Sequence, residues 1–198
     1  MSLKGRSLAR TTASPTLFGW LAAGAIGGAL VAVLRRQGRR WWCRCGEPVL
    51  WSGDARGAHN SQHLADPYTL THVPHGMLLY ALSRPLEGRI SPDARFALAV
   101  ALEAAWEALE NTETAIRHYR KTTAAQGYRG DSVANSLGDV AACAIGYELA
   151  ARMPVGRSIG LFLALEAALL AAYRDNFTLN VFMGLFPIQA VKEWQTAG

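Results

Sequence analysis

The sequence predicts an all-α fold, a polytopic transmembrane helical bundle of about five spans with a short interfacial or partial helix at its C-terminal end. Residues 18–34 are almost entirely apolar and have basic residues on both sides, as a membrane span does. Further apolar stretches follow, ended by proline, glycine or charged residues. No stretch of linker composition divides the 198 residues, so a single integral membrane domain is expected over residues 1–198.

The first predicted span, FGWLAAGAIGGALVAVL, lies between a polar N-terminal tail of residues 1–15 and the basic run RRQGRR. A cleaved signal peptide is the competing interpretation. It is disfavoured because the small-residue stretch continues directly into the basic run, with no A-x-A-like cleavage site. Residues 35–66 form a predicted interfacial loop, since they contain several Trp, a residue that favours the membrane surface.

The second apolar stretch covers residues 67–83, and its polar first half must face protein if the segment spans the membrane. Ser91, Pro92 and Asp93 predict the start of the third helix. They supply a capping side chain, a proline at the first helical position and an acid in the first turn. This helix is expected to end near Thr114.

The fourth predicted helix covers residues 132–153 and is dominated by small residues, which favour close helix packing in lipid. The fifth covers residues 158–173. The last apolar stretch, residues 177–191, is interrupted by Pro187 and is predicted to be the partial or interfacial helix. A soluble helical bundle is the alternative, because the later helices contain Glu and Asp and some apolar runs are shorter than about 20 residues.

The net charge of +5 comes from basic residues that flank apolar segments, without a nucleic-acid-binding signature. Membrane lipids with anionic headgroups are therefore the expected partners, and no nucleic acid is expected. Cys43 and Cys45 are too close for an easy disulfide, and Cys143 lies in an apolar segment. A C-x-C pair alone does not define a zinc site.

Eight polar residues follow helical spacing on three of the predicted helices. They are His72 and His75 on the second, Glu103, Glu107 and Asn111 on the third, and Asp131, Asn135 and Asp139 on the fourth. If successive helices alternate in direction, these stripes converge at one membrane face. A charge at the bilayer centre costs about 3 kcal/mol, so the acids must face one another or a wet cavity. Helix capping by Asp131 and pairing of the glutamates with Arg117 or Arg120 are the structural alternatives.

Residue types divide the converging residues into three expected roles. The expected catalytic residues are His72, His75, Glu107, Asp131 and Asp139. The expected ligands of a divalent metal (Zn, Mg or Mn) are His72, His75, Glu103, Glu107 and Asp139, because imidazole and carboxylate suit these ions. The expected substrate-binding residues are Asn111, Arg117, Arg120, Asn135, Arg174 and Asn176, since Arg and Asn side chains bind phosphate oxygens.

Four segments, HNSQHLADPYTLTHVPHG, LEAAWEALENTETAIRHYR, YRGDSVANSLGD and RDNFTLNVFM, closely resemble the bacterial membrane family DUF2585, also called UPF0314. The resemblance covers most of the chain from Trp42 onward. The order of these polar segments is more loosely similar to VanZ-like proteins. The family resemblance implies a multi-pass protein of the bacterial inner (cytoplasmic) membrane, with an alphaproteobacterium as the expected source, and implies no particular reaction.

The expected function is that of a hydrolase or transferase acting on a lipid or lipid-linked phosphate, assisted by the metal. Neither H-E-x-x-H nor G-x-S-x-G occurs in the sequence. A non-catalytic protein that binds lipid or a small molecule, or that helps to assemble an envelope complex, is the alternative. Ion or proton conduction is a third, disfavoured because the polar residues are concentrated in one half of the bilayer.

Overall fold

The computed structural model describes residues 14–124 and 127–197, and its regular secondary structure there is helical. The eight α-helices of these ranges are α1 Leu17–Arg36, α2 His72–Ser83, α3 Pro92–Glu110, α4 Glu113–Thr122, α5 Val133–Arg152, α6 Val155–Tyr173, α7 Phe177–Leu185 and α8 Gln189–Thr196. The predicted all-α class is confirmed. Most of the predicted polar tail, residues 1–13, lies outside the described residues.

Helix α3 begins as predicted, with the Ser91 side chain accepting a hydrogen bond of 3.1 Å from the amide of Ala94. The expected end near Thr114 is wrong, because α3 stops at Glu110 and a new helix follows. Thr112 caps α4 by accepting a hydrogen bond from the Ala115 amide, and this local bond competes with continuation of α3.

Two other predicted boundaries also change. The second helix begins later than residue 67, because a 3₁₀ turn, Thr69–Thr71, precedes α2. The single partial helix predicted for residues 177–191 consists of α7 and α8. The break falls at Phe186, since the following Pro187 disfavours a helical backbone at the residue before it.

Helices α1 and α6 are long and apolar enough to cross a membrane, with mean hydropathies of 2.1 and 1.7. Only 22% of the apolar window of α1 and 11% of that of α6 are buried inside the protein. A core helix of a soluble protein would be mostly buried. These values therefore favour membrane association over the soluble alternative for these two helices.

Helices α2 and α5 pack with backbone against backbone. A Cβ atom added at Gly76 on α2 would overlap the carbonyl of Cys143 on α5, and one added at Gly146 on α5 would overlap the carbonyl of Val73. Glycine at both contacts removes the side chain that would hold the two helices apart, as at close helix crossings in membranes. This close packing brings the histidines of α2 next to α5.

The helix ends show that α1 and α3 run in the same direction, antiparallel to α5. The Thr16 side chain donates a hydrogen bond of 2.8 Å to Asp93, which joins the starts of α1 and α3. At the opposite end, the Val133 amide donates to the Arg40 carbonyl at 2.7 Å. The start of α5 therefore lies beside the end of α1, and alternating directions bring the predicted polar stripes to one end of the bundle.

Candidate functional site

Glu103 of α3 lies between the two histidines of α2. Its carboxylate is fully buried and contacts Nδ1 of His72 through one oxygen and Nδ1 of His75, at 2.6 Å, through the other. A carboxylate at Nδ1 fixes the orientation of an imidazole and leaves Nε2 available as an acceptor or metal ligand. The sequence expectation that these two helices share a polar face is thus realised by direct contact.

Nε2 of His72 faces two further carboxylates, 3.9 Å from Oε1 of Glu107 and 4.0 Å from Oδ2 of Asp139. These distances are too long for hydrogen bonds. They are about 0.5 Å longer than the separation of about 3.4 Å that tetrahedral geometry gives two ligands, each about 2.0–2.2 Å from one divalent ion. One ligand atom from each of the three residues lies within 4.8 Å of the others.

The carboxylate of Glu107 is buried, and neither of its oxygens has a hydrogen-bond partner among the described residues. Oδ1 of Asp139 is likewise buried and has no hydrogen-bond partner among the described residues. A buried ionised carboxylate without a partner is strongly unfavourable, so these acids require a cation or a proton. The residues His72, His75, Glu103, Glu107 and Asp139 are called the imidazole–carboxylate cluster below.

Asn111 and Asp131 join the end of α3 to the start of α5. The Asn111 amide group donates a hydrogen bond of 2.8 Å to the Asp131 carboxylate, and its carbonyl oxygen accepts one of 2.7 Å from the Asp131 amide. The Tyr128 hydroxyl donates to the same carboxylate at 3.0 Å. Burial raises the pKa of Asp131 to about 6, although these two side-chain hydrogen bonds oppose the rise.

Asp66 organises the turn that leads into α2. Its carboxylate accepts hydrogen bonds from the amides of Ser61 and Tyr68, each at 2.7 Å, and from that of Thr69 at 3.1 Å. Asn135 of α5 approaches the same carboxylate at 3.5 Å. Burial raises the pKa of Asp66 despite the three amides. Asn135 therefore contacts the turn that supports the histidines.

A cavity of about 300 Å³ opens beside the cluster. His72, His75, Asp131 and Asp139 line it, together with Glu110. Its other walls are largely aromatic or apolar and include Trp106, Tyr119, Tyr128 and Phe177. A site with a few polar groups between apolar walls suits an amphipathic ligand.

A second cavity of about 600 Å³, called the basic pocket below, adjoins the first, because Asn60, Tyr128 and Asp131 line both. Five arginines line it, Arg39, Arg40, Arg44, Arg56 and Arg129. Sequence reasoning missed this pocket, because it treated the run RRQGRR only as the flank of a membrane span. The sequence did contain a sign of this pocket. The arginines of RRQGRR and Arg129 of the segment YRGD all lie in segments that are expected at the same membrane face.

The three arginines expected to bind substrate line neither cavity. Arg117 is exposed on α4, Arg120 donates a hydrogen bond to the Tyr128 carbonyl, and Arg174 donates one of 3.0 Å to the Trp194 carbonyl. Asn176 caps α7 by accepting a hydrogen bond of 2.8 Å from the Leu179 amide. Their expected binding role stays a prediction.

Fold and site together define an all-helical protein with two helices apolar enough to cross a membrane and a buried imidazole–carboxylate cluster at one end of the bundle. Residues 34–197 match the family model described as "Protein of unknown function (DUF2585)". The chain belongs to this family, as its motifs predicted.

Three relatives named UPF0314 protein illustrate the match. The chain is 44% identical over 165 residues to one from Rhizobium meliloti, with 83% of this chain and 84% of the relative covered. The identity is 42% over 160 residues for one from Paracoccus denitrificans (81% and 83% covered), and 41% over 189 residues for one from Novosphingobium aromaticivorans (93% and 96%). These comparisons do not show the looser similarity to VanZ-like proteins. No solved structure matches the chain.

Proposed function

We propose that this protein is a multi-pass inner-membrane enzyme that uses a bound divalent metal to hydrolyse or transfer a phosphate group of a lipid or lipid-linked substrate. The observation that carries the proposal is the Glu107 carboxylate, buried without a hydrogen-bond partner among the described residues and facing His72 and Asp139. A divalent cation would satisfy all three side chains together.

Exposed apolar side chains support about five spans, formed by α1, α2, α3, α5 and α6. Besides α1 and α6, the helices α2, α3 and α5 have large apolar side chains exposed on their surfaces. These are Leu78, Leu82, Leu98, Leu102, Leu109 and Ile145. Such a surface is costly in water and suits lipid. Helix α2 is only 12 residues long, about 18 Å, so the 3₁₀ turns on either side of it, Thr69–Thr71 and Arg84–Leu86, have to complete its crossing. Helices α7 and α8 would form the interfacial part.

The metal ligands in this proposal are Nε2 of His72 and the carboxylates of Glu107 and Asp139. Glu103 contacts Nδ1 of His72, the ring nitrogen that would not bind the metal. A carboxylate often occupies this position beside a metal-bound histidine. One imidazole and two carboxylates suit Zn²⁺ or Mn²⁺, and Mg²⁺ if waters complete its shell. His75 contacts the same Glu103 and also lines the cavity, where it can contact substrate.

Asp131 is the proposed general base, because it lines both cavities and titrates close to neutral pH. It takes a proton from the attacking water, or from an acceptor hydroxyl in a transferase. The attacking oxygen forms a bond to phosphorus while the bond from phosphorus to the leaving oxygen breaks, and the proton then passes to that leaving oxygen. Arginines of the basic pocket, such as Arg40 and Arg129, bind the phosphate oxygens.

Metal content and lipid composition test the proposal. Purified protein in detergent is expected to hold one equivalent of a divalent metal in the imidazole–carboxylate cluster. This equivalent is lost in Glu107→Gln and Asp139→Asn and kept in the exposed control Glu193→Gln. A deletion strain should accumulate a phosphorylated lipid, and wild type and Glu193→Gln should reverse this while Glu107→Gln does not. The proposal is wrong if the cluster binds no metal in wild type and Glu107→Gln still restores the normal lipid profile.

Non-catalytic binding of a lipid headgroup is the second candidate, and the basic pocket favours it. Five arginines around about 600 Å³ could hold a phosphorylated headgroup without any reaction. In this case the purified protein would carry phospholipid whose retention depends on Arg40 and Arg129. Loss of Glu107 would then leave the lipid composition of the cell unchanged.

A further inference from the structure

Two cysteines and two histidines meet in the loop between α1 and α2. One ligand atom from each of Cys43, Cys45, His59 and His63 lies within 4.8 Å of the other three. Sγ of Cys43 is 3.2 Å from Nδ1 of His59, and Sγ of Cys45 is 3.7 Å from Nε2 of His63. None of these residues belongs to the imidazole–carboxylate cluster, so this is a separate group of ligand types.

The separations fit a tetrahedral metal site. With bonds of about 2.3 Å to sulfur and about 2.0–2.1 Å to nitrogen, tetrahedral geometry puts a sulfur and a nitrogen ligand about 3.5 Å apart. The two measured sulfur–nitrogen distances lie on either side of this value. Separate thiol–imidazole hydrogen bonds would explain each pair alone, but they give no reason for both pairs to converge on one point.

We propose that Cys43, Cys45, His59 and His63 bind one Zn²⁺ ion in a structural site. Thiolate and imidazole are the ligands that structural zinc favours, and four protein ligands leave no open position for catalysis. Binding displaces the two thiol protons, because a cysteine ligates zinc as the thiolate. The C-x-C pair alone does not define a zinc site. Together with the H-x-x-x-H pair that the fold places beside it, it provides the four ligands of one.

The ion would fasten the loop that forms one wall of both cavities. His63 lies two residues after Ser61, whose amide donates to Asp66 and whose carbonyl accepts a hydrogen bond of 2.9 Å from the Ser132 amide. Cys43, Cys45 and His59 themselves line the basic pocket. Zinc would therefore hold the turn before α2 and the Arg40–Arg44 segment in one position.

Cobalt substitution of the purified full-length protein tests this proposal. A tetrahedral cobalt site with two thiolates gives an intense thiolate-to-metal charge-transfer absorption in the near ultraviolet, which a site of imidazole and carboxylate ligands cannot give. Wild type and Glu107→Gln are both expected to show the band, so a failure of the proposed enzymatic function would leave this result intact.

Cys45→Ser removes one of the two thiolates and is expected to reduce the band to half or less, whereas the matched variant Cys143→Ser, at a buried cysteine of α5, keeps the full band. Absence of the band in wild type would overturn the proposal, as would a band of full intensity in Cys45→Ser. If Cys45→Ser does not fold, the band in wild type and its retention in Cys143→Ser still decide the question, because Cys43 and Cys45 are then the remaining cysteines.

Discussion

At the residue scale, the site depends on carboxylates in three different environments. Glu103 contacts two imidazoles, Glu107 has no hydrogen-bond partner among the described residues, and Asp131 accepts hydrogen bonds from Asn111 and Tyr128. The same functional group thus has three different roles in the proposed mechanism, namely support of the histidines, metal binding and proton transfer. The surroundings, rather than the residue type, separate the three roles.

The elevated pKa of Asp131 predicts a pH dependence of stability. Because its pKa is about 6 in the folded protein and 3.8 ordinarily, folding favours the protonated acid. The resulting stabilisation is full below about pH 4 and is lost as the pH rises through about 6. It amounts to a free energy on the order of 3 kcal/mol. Thermal unfolding from pH 4 to 7 should show this fall in wild type.

Asp131→Asn should make the fall smaller by the contribution of Asp131, since an amide does not titrate. Part of the fall should remain, because burial also raises the pKa of Asp66 and raises that of Asp175 to about 6. The exposed control Glu193→Gln should retain the full fall. An unchanged pH dependence in Asp131→Asn would contradict the assignment of this titration to Asp131.

Residue spacing in the sequence was sufficient to nominate the cluster but could not reveal its contacts. The i, i+4 spacing of Glu103 and Glu107 and the i, i+3 spacing of His72 and His75 put each pair on one helix face. Which carboxylate meets which imidazole depends on the rotation and separation of α2 and α3, and these are set by packing elsewhere. For the same reason, the sequence could not show that Arg120 and Arg174 donate hydrogen bonds to the carbonyls of Tyr128 and Trp194.

At the element scale, the contact between α2 and α5 determines where the histidines lie. Gly76 comes directly after His75, so the backbone that carries the histidines is pressed against α5 near Cys143. The small residues of the fourth predicted helix indicated close packing. This prediction is confirmed at Gly146, which lies directly against the backbone of Val73 on α2. It could not predict the break at Asn111, because the competing cap at Thr112 is a local bond of similar strength to those of a continuing helix.

Gly76→Ala is expected to destabilise the protein by about 1–3 kcal/mol, because the new methyl group overlaps backbone that cannot rotate away. The melting temperature in detergent should fall by about 3–10 °C. Gly24→Ala is the matched control, since a Cβ atom at this α1 position has nothing within 4 Å, and its melting temperature should be unchanged or higher. Equal melting temperatures for the two variants would show that α2 and α5 do not pack this closely.

At the scale of the whole molecule, the imidazole–carboxylate cluster and the basic pocket lie at the same end of the bundle. Hydrogen bonds between distant segments fix this arrangement, such as those from Val133 to Arg40 and from Ser132 to Ser61. The other end carries the Thr16–Asp93 pair and the turn between α5 and α6. The candidate site therefore lies at one end of the bundle, and the hydrogen bond that joins the starts of α1 and α3 lies at the other.

The proposed five spans predict the side of the membrane on which each connection lies. Reporters inserted within residues 111–132 and 174–176 should give the same signal, and those within residues 87–91 and 152–155 the opposite one. A pair of reporters active in only the periplasm or only the cytoplasm provides the measurement. The same signal from residues 87–91 and 111–132 would exclude a crossing by α3.

The order in which the chain is synthesised has a consequence for the two proposed metal sites. Cys43, Cys45, His59 and His63 all leave the ribosome before α2, so the proposed zinc site could bind its ion while the rest of the protein is still being synthesised. His72 and Glu107 also emerge early, but Asp139 follows only with α5. The first ion would thus bind during translation, whereas the second must be acquired from whichever compartment the finished site opens into.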